Sequence, residues 1–174
     1  MRWKFCLLAA MLAAPPAWAD DCGPVVAAQV KLFHTPYRST LVMHHNDGPD
    51  LIIGNINTTD TRYVNMSGVL TDDWEHSPLD ANKDEAEYLH NLRQMKLSCN
   101  IERSEPVNGD MTDVYTTQDR GSDTIKSRTW ISRSLGLPVK IESYLGQNTE
   151  RPGTSTATYE YNDVKAPEDS PPSP

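Results

Sequence analysis

The chain has 174 residues, 16 Lys and Arg against 24 Asp and Glu, and a net charge of -8. That acidic balance argues against nucleic acid and against stable docking on anionic lipid, since both need clustered Lys and Arg. The length suits one domain with a real core. Taken in chain order, residues 1–19 come in three parts. Arg2 and Lys4 give a positive start, Phe5 to Ala14 is apolar, and Ala17-Trp18-Ala19 follows Pro15 and Pro16 as an A-x-A cleavage signal. The apolar run is roughly half the ~20 residues that a membrane span needs. It therefore reads as a cleaved leader that delivers the chain to a periplasm or beyond it. Cys22 follows Ala19-Asp20-Asp21, whereas a lipid-anchored Cys needs small residues directly before it. Cleavage removes two cations and no acid, which moves the net charge from -8 to -10. The remainder has no stretch long and apolar enough to span a bilayer.

Two cysteines are left, Cys22 and Cys99. In an oxidising compartment such an isolated pair reads as one disulfide, because a redox dithiol usually has C-x-x-C spacing.

Pro24 to Phe33 reads as a first helix, with Pro24 in its first turn and Val26, Val30 and Phe33 at helical spacing. Pro36 ends it. From Tyr37 to His44 the period changes to two, which is a strand. A turn at Asn46-Asp47-Gly48-Pro49 leads to strands over Leu51–Asn57 and Thr61–Leu70. Trp74 to Leu79 reads as a polar connection. Asp80 to Lys96 is a second helix, with acids in its early turns and Tyr88, Leu92 and Met95 along one side. Leu97–Val107 and Met111–Gln118 flank Asn108-Gly109, a strong hairpin signal. Ile125–Ser132, Leu137–Tyr144 and Thr154–Tyr161 complete the strands, and 166–174 is a Pro-rich disordered tail. The sum is about eight strands and two helices with hairpin links. This is an α+β fold with a mostly antiparallel sheet, in a single domain over 20–165.

No nucleophile elbow, P-loop or H-E-x-x-H is present, so no catalytic residue is assigned and no cofactor is expected. His44-His45 is the best metal candidate, but neighbours on a strand point to opposite faces. Asp72, Asp73 and Glu75 lack the order of a Ca²⁺ loop, and Asp80, Asp84, Glu85 and Glu87 suit a helix start. No metal site is assigned. Asn57-Thr58-Thr59 and Asn65-Met66-Ser67 match the glycosylation sequon, with no glycan expected behind a bacterial leader.

Thr129-Trp130-Ile131-Ser132-Arg133-Ser134-Leu135-Gly136-Leu137-Pro138 is followed by an extended strand, a polar hairpin and Tyr159-Glu160-Tyr161-Asn162-Asp163-Val164. This segment resembles the C-terminal half of the LolA/LolB-like periplasmic lipoprotein-carrier superfamily. The order of leader, helix and antiparallel strands is also similar. The resemblance implies a curved half-barrel wrapped around helices, with a lipid or other apolar ligand on its concave face. The lining it implies is Leu41, Met43, Ile53, Val64, Met66, Val114, Ile131 and Ile141 from the sheet, with Tyr88 and Leu92 from the second helix. The implied role is non-enzymatic binding. An envelope protein–protein module without a cavity is the competing reading, and the sequence does not give the oligomeric state.

Overall fold

The computed structural model describes residues 22–45, 48–66, 74–121, 125–145 and 153–167. Among these described residues nine antiparallel strands form one open, curved sheet, and two helices lie on one of its faces. The elements in order are α1 (Gly23–Phe33), β1 (Tyr37–His45), β2 (Leu51–Asn57), β3 (Thr61–Asn65), β4 (Glu75–Pro78), α2 (Ala81–Leu92), β5 (Leu97–Val107), β6 (Asp110–Asp119), β7 (Ile125–Ser132), β8 (Pro138–Leu145) and β9 (Gly153–Glu160). The spatial order is β4-β3-β2-β1-β9-β8-β7-β6-β5. Two meanders are thus joined along β1 and β9, from Arg38 opposite Glu160 to His45 opposite Gly153. Within the described residues no helix is long and apolar enough to cross a membrane.

Each element follows from its residues. Pro24 stands in the first turn of α1, where a missing N–H costs nothing. Asp80 caps α2, its Oδ1 accepting from Lys83 N at 3.0 Å. Asn108 and Gly109 take φ of 50° and 84°, the left-handed pair that a type I′ hairpin requires. Cys22 and Cys99 are bonded, which ties the start of α1 to β5.

Two readings need correction. The stretch 74–79, read as a connection, contains the strand β4. Glu75-His76-Ser77-Pro78 has no apolar alternation, and it is a strand because it pairs with Thr61–Val64. The second helix stops at Leu92 rather than Lys96. Arg93, Gln94 and Met95 donate to the carbonyls three residues back, and Lys96 N is then captured by Asp119 Oδ1 at 3.1 Å. Residues 67–70 of the third expected strand, and 168–174 of the expected tail, lie outside the described residues.

Register separates the two faces of the sheet. Cys99, Thr117 and Ser127 stand opposite one another and face the helices. Val114, Thr116, Arg128 and Trp130 belong to the other face. That outer face is covered by its own long side chains. Trp130 Nε1 donates to Glu105 Oε1 at 2.5 Å, and Lys140 Nζ sits 4.6 Å from the indole centre. Glu102 accepts from Thr116 and Arg128. The Thr116 hydroxyl, then Arg128 and Arg103, hold its carboxyl below the usual range. Beneath this layer Val114 is 0 % and Trp130 3 % exposed.

Candidate functional site

The helices cover only part of the inner face, and between them and β5–β8 lies a half-open cleft of about 220 Å³. Val25, Val26 and Gln29 of α1 and Tyr88 and Leu92 of α2 form its helical side, and Met95 follows α2. The strand side is Leu97 and Cys99 on β5, Thr117 and Asp119 on β6, Ser127 and Thr129 on β7, and Ile141 on β8. The cleft is therefore greasy against the helices and hydroxyl-bearing along the middle of the sheet.

Local chemistry sets each wall. The Cys22–Cys99 bond, closing a separation of 77 residues, fixes the first turn of α1 over the sheet. Phe33 and Tyr88 meet with ring centres 5.6 Å apart and hold α1 against α2. His34 Nε2 and Glu85 Oε2 are 2.6 Å apart, and Arg62 donates to Asp84 at 2.5 Å, so two polar contacts fasten α2 to α1 and β3. Burial raises the Tyr88 phenol above its usual value. Asp119 is the charged residue among the cleft walls, and its Oδ1 is already engaged by the N–H groups of Lys96 and Gly121.

Of the ten side chains expected in a lining, Tyr88, Leu92 and Ile141 border this cleft. Leu41, Met43, Ile53 and Val64 share the helix-facing side of the sheet but stand on β1, β2 and β3, away from it. Ile131 is on that side by alternation and is buried. Val114 is on the opposite face, and Met66, just past β3, is 61 % exposed. The sequence reading missed Val25, Val26, Thr117, Ser127 and Thr129. A helix register anchored on the disulfide would have found the valines. The hydroxyls carried no apolar signal.

Among the described residues no group of three or more His, Cys, Asp or Glu is placed to hold a metal. His44 pairs instead with Asp50, Nδ1 to Oδ2 at 3.0 Å. Ser132 and Ser134 both donate to Asp110, a hydrogen-bonded turn that fastens the β7–β8 corner.

No family model and no curated protein sequence matches the chain. It is similar in structure to lipoprotein LppX of Mycobacterium tuberculosis, at 13% identity and a TM-score of 0.48, covering 83% of this chain and 95% of that one. It is also similar to a chain of the MucA/MucB complex of Pseudomonas aeruginosa, at 14% identity and a TM-score of 0.44, covering 82% of this chain and 56% of that one. The chain thus spans little more than half the length of that neighbour. A third is a LolA superfamily protein of Nitrosomonas europaea, at 12% identity and a TM-score of 0.31, covering 78% and 89%. This third neighbour carries the name of the superfamily that residues 129–164 resemble.

Proposed function

We propose that this protein is a non-enzymatic envelope binding protein that holds the apolar part of a lipid or similar ligand between its helices and its sheet. In this reading residues 1–19 are removed on export, 20–165 form the domain and 166–174 trail as a tail. One observation carries it: the cleft of about 220 Å³ whose helical side is Val25, Val26, Tyr88 and Leu92 with Gln29 beside them, and Met95 just beyond α2.

The size sets the scale of the binding. The volume is below the ~300–1,000 Å³ of pockets that enclose a drug-sized ligand. It suits one segment of hydrocarbon rather than a whole two-chain lipid. Each methylene buried there contributes about 0.8 kcal/mol, so the apolar part of the ligand supplies the driving force for holding.

The test is native mass spectrometry of protein purified from a periplasm, with solvent extraction and lipid analysis. The expected result is a chain of residues 20–174 carrying a lipid of defined mass. A clean apo mass that persists after incubation with fatty acids and phospholipids would overturn the reading and direct the search to protein partners.

A further inference from the structure

The inner face of the sheet is organised in rows that cross the strands. One row runs from Thr117 through Ser127 and Ser143 to Ser155, each directly opposite the next on β6, β7, β8 and β9. The adjacent row runs from Thr129 through Ile141 and Ala157 to Leu41 and Ile53. At about 4.8 Å between strands, the hydroxyl row is ~14 Å long. It begins in the cleft, where Thr117 and Ser127 form part of the wall, and leads out of it beside the apolar row.

These hydroxyls are poorly used by the protein itself. Among the described residues the Thr117 hydroxyl meets only the Cys99 sulfur, at 3.6 Å. Ser127, Ser143 and Ser155 have no side-chain hydrogen-bond partner among the described residues. All three are half-buried and open to a ligand on that face. A plain alkyl chain laid here would strip water from them and return nothing. A ligand with hydroxyl or amide groups along one edge would satisfy them while its hydrocarbon edge covered the apolar row.

We propose that the ligand is an amphiphile of this kind, a hydroxylated or amide-bearing acyl chain lying across the strands, with Ser127, Ser143 and Ser155 as its specificity-determining residues. The inference rests on the binding role proposed above and adds the chemistry of the cargo.

The experiment is calorimetric titration of the mature protein with tetradecanoate and with 3-hydroxytetradecanoate, a pair that differs by one hydroxyl. The hydroxylated chain is expected to bind about three- to tenfold more tightly, the worth of one good hydrogen bond. The Ser127→Ala, Ser143→Ala, Ser155→Ala triple variant, its fold checked by circular dichroism, should bind both acids alike, with the plain acid held more tightly than by the unaltered protein because no hydroxyl is then stripped of water. Ser127→Thr, which keeps a hydroxyl, should retain the preference. Equal binding of the two acids by the unaltered protein, or a preference that survives the triple variant, overturns this inference and leaves the apolar cleft standing. Failure of both acids to bind overturns the cleft's proposed role and this inference with it.

Discussion

Tyr37 and Tyr159 meet with ring centres 5.6 Å apart, and the Tyr161 hydroxyl donates to the Pro138 carbonyl. Burial is the main reason that all three phenols are raised above their usual value. A raised folded value means that their contribution to stability is fully present below pH ~10 and is lost above it, because the unfolded chain ionises first. The protein should therefore unfold in alkali, with tyrosinate absorbance at 295 nm from these residues rising together with the loss of circular dichroism. Ordinary titration of every tyrosine near pH 10 in an intact fold would contradict this. At the cleft, Val26 is half-buried and its replacement by a larger ring costs the core little. Val26→Trp should weaken binding of an acyl probe at least tenfold while moving the melting temperature by only a few degrees. Unchanged affinity would place the ligand elsewhere.

Each helix depends on one device at its start. Asp80 satisfies a first-turn N–H of α2. Asp80→Ala should cost about 1 kcal/mol in urea unfolding, whereas the part-exposed Arg62–Asp84 pair is worth ~0–1 kcal/mol. The first helix relies on Cys22–Cys99. Closing a separation of 77 residues removes about 4–5 kcal/mol of freedom from the unfolded chain, as an upper figure. The Cys22→Ser, Cys99→Ser double variant should lower unfolding stability by several kcal/mol, as measured by its urea midpoint. A loss below ~1 kcal/mol would mean that packing of Ala28 and Leu32 alone seats α1. Both edge strands are guarded against further pairing. The outermost strand β4 has four residues and ends in Pro78, and β5 carries charges, a bulge at Ile101/Arg103 and Pro106.

At the scale of the molecule the joint is β1 with β9. Thr156 pairs with Val42 on one side and Glu142 on the other, so its strand is interior and uses both edges. Thr156→Pro removes a ladder N–H and should cost about 3 kcal/mol or more, while thermal unfolding stays a single transition. Two separated transitions would show that the meanders fold on their own. The local features were legible in the residues alone: period-two strands, the left-handed turn at Asn108-Gly109 and the helix start at Asp80. Each is a choice between neighbours in the chain, made by sterics or by one hydrogen bond. Tertiary structure decided what lies far apart. Glu75–Pro78 became a strand only because β3 offered it an edge. Val114 and Thr117 exchanged the roles that their hydrophobicity suggests. Alternation separates the two faces of a strand but does not say which one the helices cover. Here the outer face is sealed by Glu102, Glu105, Arg128 and Lys140, so the valine is buried beneath charged side chains and the threonine opens onto the cleft.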